Sequence, residues 1–354
     1  MRRHFAPIFT LALLCSTALA LPALSPAKAE ACTTVMMKEG STPVVAKSYD
    51  WDNEAGVVVI NKRGVAKAGL IMPGQGPAAR WVSKYKSLSF NQFGRELPNG
   101  GMNEAGLVVE IMWLTSTRWP NKDARPALNE LQWIQYQLDN FASTSEVVSN
   151  ADKLRVAPVH AQVHYMVCDK GGACATFEYL GGELKVHAGN KLPVAALTNH
   201  PYETSVRHWD GVKDQALSQG SGSLSRFARA AQRSLKAGSV KEAWEALDSV
   251  ANGQTQWQIV YQPTLGKVHF RTRSAQKIRS IDLGAFKASC ADAVQVLSMQ
   301  DKTGGDVTGR FSDYDPARNE TLLRASTRKL GGNVPEALLS AAAAYPNALQ
   351  CKAP

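Results

Sequence analysis

Ala29-Glu30-Ala31-Cys32-Thr33-Thr34 is the stretch on which the reading of this chain turns. Upstream stand Arg2 and Arg3, a mostly apolar run from Phe5 to Leu21, a breaker region around Pro22 and Pro26, and small residues at Ala29 and Ala31. That is the anatomy of a secretory leader over residues 1–31. A cut after Ala31 puts a thiol and a free α-amine on one residue, Cys32. An α-amine has an unperturbed pKa of about 7.7–8.0, so it can take the proton of its own side chain, directly or through one water. Such a site needs no histidine. Two duller readings compete, a purely structural cysteine and a lipid-anchored one. The lipid signal sets a Leu-like residue three before the cysteine, behind the apolar run; here Ala29 holds that place, and Pro22 to Glu30 intervene.

The rest of the chain is long enough for one large domain with a sizeable core. Hydrophobic content of 44% and charged content of 20% suit a soluble globular chain. The net charge of +10 is scattered, without an Arg/Lys block or basic-aromatic interleaving, so nucleic acid is not an expected partner. No apolar run after Leu24 approaches the roughly 18 residues of a membrane span. The mature protein is expected to be soluble and exported, periplasmic or secreted. Cys15 leaves with the leader; Cys32, Cys168, Cys174, Cys290 and Cys351 remain. In an oxidising compartment four of these five can pair. Cys168 and Cys174 flank a hairpin turn, Asp169 to Ala173, which suits a local bridge. Cys290 with Cys351 would pin the C-terminal tail. Cys32 is then the free thiol, although spacing alone leaves the connectivity open.

Taken in order, Thr33 to Met37, Pro43 to Tyr49 and Val57 to Asn61 are short β-branched runs, so Cys32 opens a strand and a second strand delivers Lys47 and Asp50 nearby. Arg80 to Phe93 continues as extended chain, and Gly100 to Gly106 reads as a turn feeding a strand over Leu107 to Leu114. The period then changes, giving helices from about Ala127 to Phe141 and Ser145 to Leu154. His160 to Glu178 returns to alternation around Gly171-Gly172, and Val194 to Thr198 is one more strand. Ser225 to Leu235 and Val240 to Val250 are helices, the latter capped by Ser239. Trp257 to Tyr261 and Lys267 to Arg273 form a hairpin, and Pro335 to Tyr345 a last helix. Without repeats or a low-complexity linker, one domain over 32–354 is the simpler count. The grouping of strands and helices argues for an α+β arrangement of antiparallel sheets covered by helices.

Metal chemistry finds little support. His160 and His164 are four apart, but their neighbours alternate as in a strand, where four residues span roughly 13 Å, too far to share an ion. No Gly-x-Ser-x-Gly elbow, phosphate-cradling loop or dinucleotide fingerprint occurs. Neither a metal nor another cofactor is expected. What remains is Cys32 with a dispersed polar set: Lys47, Asp50 and Trp51 in one segment, Asn199 at a strand end, and Arg226 at a helix start. Each has a bland reading by itself, as turn chemistry or surface charge.

In this order behind Cys32, the set resembles the choloylglycine hydrolase family of N-terminal-nucleophile amidases, which includes bile salt hydrolases, penicillin V acylases and acyl-homoserine-lactone acylases. The resemblance is carried by Cys32-Thr33, Tyr49-Asp50-Trp51, Gly101-Met102-Asn103-Glu104-Ala105-Gly106-Leu107, Thr198-Asn199-His200-Pro201, Ser225-Arg226-Phe227-Ala228-Arg229 and the hairpin from Trp257 to Arg273. It implies a four-layer αββα sandwich of two antiparallel sheets flanked by helices. It also implies roles: Cys32 as nucleophile, Asp50 holding the α-amine, Asn199 as oxyanion donor and Arg226 steadying the cysteine electrostatically. Two positions depart from the family pattern. Lys47 stands where arginine is common, keeping the charge but not the planar fork. Trp113 stands where bile salt hydrolases carry an asparagine, so only its backbone N–H could serve an oxyanion. Trp51, Trp81 and Trp113 become candidates for an apolar acyl pocket, which favours the acylase branch over a sterol substrate.

The expected activity is hydrolysis of a small-molecule N-acyl amide (penicillin V, an N-acyl homoserine lactone or a conjugated bile acid) through a thioester. A thiol-dependent acyltransferase and an exported binding protein on an inactive amidase scaffold are the alternatives. The sequence leaves the substrate, and assembly into a homo-oligomer, open.

Overall fold

Strand Thr33–Met37 and its neighbour Val44–Asp50 are buried at every position. Only strands covered on both faces can be so. They lie in a sheet of seven strands ordered Ala196–Leu197, Thr33–Met37, Val44–Asp50, Thr255–Gln262, Lys267–Thr272, Arg279–Asp282 and Gly305–Asp306, antiparallel except at its last pair. The computed structural model describes residues 32–38, 42–330 and 334–352. The leader expected over 1–31 lies outside the described residues.

A second, nine-stranded sheet runs Glu183–Ala188, Cys174–Leu180, Val163–Cys168, Val108–Trp113, Gly100–Asn103, Ser87–Asn91, Val57–Asn61, Gln295–Ser298 and Ser312–Asp313. One apolar core fills the space between the sheets and continues under helices Tyr202–Val212, Ser223–Ser234 and Val240–Val250, which cover the first sheet. A second core lies between the nine-stranded sheet and helices Gln132–Asn140 and Thr144–Asn150. The layers are therefore helix, sheet, sheet, helix, as the α+β reading expected. Among the described residues no helix is long and apolar enough to cross a membrane.

Several local expectations are corrected. Gly100–Asn103 is a strand rather than a turn, paired on both sides. The turn begins after it, where Asn103 Oδ1 accepts the N–H groups of Ala105 and Leu107 and Gly106 takes φ +85°. The helix expected from Ala127 starts only at Gln132. Ala127–Leu128 instead pairs with Arg155–Val156, and Asn129 Oδ1 collects the N–H groups of Leu131 and Gln132 to form the helix entry. His160 is not in a strand with His164, because the strand begins at Val163. Helix Val240–Val250 matches its expected bounds, with Ser239 and Glu242 closing a capping box. Helices Tyr202–Val212 and Pro316–Leu330 were not expected.

The disulfides are Cys168–Cys174, across directly paired strand residues, and Cys290–Cys351. The second ties the tail behind helix Glu336–Ala348 to the loop after Phe286, closing a loop of 61 residues. Replacing Cys290 and Cys351 by serine is expected to lower the free energy of unfolding by about 2–4 kcal/mol, since the open chain regains that loop's entropy. A urea midpoint equal to that of the native protein would refute this.

Candidate active site

Two paired strands set the site. Thr34 lies opposite Lys47 and Thr33 opposite Ser48. Because successive side chains alternate between faces, Cys32, Thr34 and Lys47 belong to the face turned toward the second sheet, and Thr33, Ser48 and Asp50 to the face under the helices. The contacts agree. Thr34 Oγ1 and Lys47 Nζ reach Met112 Sδ on the second sheet at 3.1 and 3.2 Å, while Arg226 Nη1, on helix Ser223–Ser234, donates to Thr33 Oγ1 at 2.7 Å.

Cys32 is unpaired and only 4% exposed, its Sγ 3.7 Å from the Asp50 carbonyl oxygen, to which it donates. Burial pushes its thiol up, and Asp50 adds to the rise; Lys47 and Arg226 oppose it. The Asp50 carboxylate accepts from Ser48 Oγ at 2.8 Å and from Asn252 Nδ2 at 3.1 Å. Burial raises its pKa against those bonds, a bond from Thr255 and the Arg226 charge.

Arg226 is buried and spreads its guanidinium over four acceptors: Cys32 O and Thr33 Oγ1 at 2.7 Å, Asn199 Oδ1 at 2.8 Å and Ser221 O at 2.9 Å. Asn199 is thereby locked. Its Nδ2 donates to the Trp113 carbonyl at 2.9 Å and its backbone N–H to Ser223 Oγ. The Trp113 position thus meets Asn199 through its main-chain oxygen. Lys47 Nζ donates to the Ile111 carbonyl and stands 3.7 Å from Glu110 Oε2.

Cys32 lies on the wall of an apolar cavity of about 130 Å³. Trp51 and Trp113 stand together on this wall, ring centroids 5.9 Å apart, with Tyr49 and Ile111 beside them. The C-terminal helices line the same cavity, through Leu323, Leu338 and Leu339 among others. Trp81 is a correction: it does not line this cavity. It is buried in the second core, edge-on to Tyr136, with its indole N–H on Asp139 Oδ2 at 2.8 Å. His164, the other dismissed candidate, is fully buried, between Glu178 Oε1 at 2.8 Å and the Thr198 carbonyl at 2.6 Å.

Sequence reading missed the residues that hold Asp50, and the helical wall of the cavity. Ser48 was legible in principle, two before Asp50 on the same strand face. Asn252 was not, because its contact spans 202 residues of chain. Glu110 also gave a signal, being the one charge within Leu107 to Leu114.

A fold of two face-packed, mainly antiparallel sheets with an unpaired cysteine at the head of an inner strand is that of an amidase class whose sequence model, "Linear amide C-N hydrolases, choloylglycine hydrolase family", matches residues 32–237, more than half of the chain. The chain belongs to this family. Penicillin V acylase of Pectobacterium atrosepticum is 28% identical over an alignment covering 61% of this chain and 63% of that relative, so the match spans under two thirds of its length. The structure of penicillin V acylase from Agrobacterium tumefaciens superposes with a TM-score of 0.72 at 24% identity, covering 80% of this chain and 98% of the other. A mutant of the conjugated bile acid hydrolase from Clostridium perfringens superposes at 0.65 and 16% identity, covering 77% and 98%. At these identities the superpositions speak for the fold alone.

Arg226→Lys keeps the charge but cannot reach four acceptors arranged round a planar fork. It is expected to destabilise the protein by about 1–3 kcal/mol, the cost of leaving buried acceptors unsatisfied. A thermal melt unchanged from the native protein would contradict this.

Proposed function

We propose that this chain is an exported hydrolase of linear N-acyl amides, in which removal of residues 1–31 makes Cys32 both nucleophile and, through its α-amine, general base. The observation that carries the reading is the unpaired, buried Cys32 on the wall of an apolar cavity, bonded to the main chain of Asp50 and to Arg226, which also holds Asn199. Family membership supports the bond class, and the relative named penicillin V acylase supports an apolar or aromatic acyl group.

In the proposed reaction the thiol proton passes to the α-amine and Sγ attacks the amide carbon. Asp50 holds the resulting ammonium. The carbonyl oxygen takes up negative charge, which Asn199 Nδ2 stabilises with the hydrogen not engaged by Trp113. The ammonium then gives its proton to the leaving nitrogen as the C–N bond breaks, leaving a thioester on Cys32. Water, deprotonated by the amine, opens the thioester and restores the thiol. Burial opposes thiolate formation in this dry wall, so the transfer depends on the nearby cations of Lys47 and Arg226. Trp51 and Trp113 line the acyl side.

Cys32→Ala is expected to cut turnover of an N-acyl amide panel at least about a thousandfold. A protein retaining one extra residue before Cys32 should lose nearly as much, because its first nitrogen is an amide. Full activity of the extended protein would overturn the α-amine as base, and N-terminal sequencing of material secreted by the native host locates the cut. Trp113→Ala should raise KM for aromatic and long acyl groups about tenfold or more, by removing apolar contact area. Product analysis with an added amine separates hydrolysis from acyl transfer.

A further inference from the structure

Between the two sheets, behind Cys32, lies a buried charged group that the reaction above does not use. Glu110 sits in strand Val108–Trp113 among Val108, Val109, Ile111 and Met112. Its carboxylate has room only because Gly100, its partner on the adjacent strand, lacks a side chain; a Cβ there would coincide with the carboxyl group. From the first sheet, Tyr261 Oη donates to Glu110 Oε1 at 2.5 Å, and Lys47 Nζ stands 3.7 Å from Oε2. Lys47, Glu110 and Tyr261 are all essentially buried. A buried ion pair between two sheets contributes less to stability than apolar side chains of similar volume would, so stability alone does not account for it.

Lys47 connects this group to the site. Its ammonium sits on the face shared with Cys32 and acts on the thiol through space, against the effect of burial. We propose that Glu110 is a positioning residue for Lys47, holding its ammonium at the sheet interface and thereby setting how readily the Cys32 thiol loses its proton. The proposal rests on the reading of Cys32 as the nucleophile.

The charged and titratable groups round the cluster are Cys32 at the head of the strand paired with that of Lys47, Tyr49 and Asp50 from the strand of Lys47 itself, Tyr261 from strand Thr255–Gln262, and Arg226 from the helix above the cysteine. The other strands beside Glu110 place Gly100 and Met166 opposite it, neither titratable. Burial raises the Glu110 pKa to about 7, Lys47 and the Tyr261 hydroxyl opposing. Below that pH the carboxyl is neutral and the Lys47 charge acts on Cys32 in full. Above it the carboxylate offsets Lys47, and the thiol is held higher.

The experiment is the pH dependence of Cys32 alkylation by iodoacetamide in the mature protein, for the native chain, Glu110→Gln, Lys47→Met and the double variant. Glu110→Gln should lower the alkylation midpoint by about half a pH unit or more, since Lys47 is no longer offset, and Lys47→Met should raise it by a similar amount. In the Lys47→Met background the glutamate substitution should have no further effect, because without the Lys47 charge the buried Glu110 carboxyl stays neutral. An unchanged midpoint in Glu110→Gln, or an equal shift with and without Lys47, overturns the proposal. Tyr261→Phe removes the donor to Glu110 and retains the carboxyl; it should shift the midpoint in the same direction, and it decides the matter should Glu110→Gln fail to fold, an unchanged midpoint then counting against the proposal. Alkylation needs no substrate, so this outcome is independent of amidase activity; turnover by Cys32→Ala would instead sink the nucleophile reading while leaving the midpoints measurable.

Discussion

One buried guanidinium holds the site in its shape. Arg226 reaches from helix Ser223–Ser234 to the main chain of Cys32, the hydroxyl of Thr33 and the amide of Asn199. A cation placed in a low-dielectric interior has to find acceptors in every direction its fork presents. Here the acceptors belong to three chain segments, so satisfying the charge also fixes their relative positions. The asparagine, oriented at one end by Arg226 and at the other by the Trp113 carbonyl, has little rotational freedom left. Preorganisation of that kind suits the oxyanion role proposed for Asn199, because reorienting a dipole during reaction would raise the barrier.

The same burial that makes the site rigid works against ionisation of Cys32. Desolvation raises the Cys32 thiol and the Asp50 carboxyl together. The charges that oppose it come from opposite faces of the first sheet. Arg226 acts from the helix side and Lys47 from the sheet interface, where Glu110, which accepts from Tyr261, stands beside it. A lysine can serve there in place of a fork because its partners are separate atoms, the Ile111 carbonyl, the Met112 sulfur and a carboxylate, rather than one planar acceptor.

Sequence reading succeeded where a short stretch carries its own evidence. Alternating β-branched runs placed Thr33–Met37 and Val57–Asn61, and Ser239 as a cap marked the start of Val240–Val250. It failed where a long-range partner outweighed local preference. Gly100 and Gly101 look like turn residues, yet they lie in a strand paired on both sides, where the Glu110 carboxylate and the Leu88 carbonyl leave no room for a Cβ. Ala127 and Leu128 suit a helix, yet pair with Arg155 and Val156. Trp81 could be assigned to pocket or core only once Asp139 and Tyr136 were seen beside it.

By itself the sequence determined much of the alternation of strands and helices and the odd number of cysteines that follows from the expected leader, because residue type and short spacing carry those facts, whereas the polar set Lys47, Asp50, Asn199 and Arg226 stood out only through its resemblance to the family. Tertiary structure alone decided which face of its strand Lys47 or Asp50 occupies, that the C-terminal helices line the cavity of Cys32, and that Lys47 has a buried counter-charge in Glu110. Those depend on strand register and layer packing, and contacts made across tens to hundreds of residues leave no periodic trace in the chain.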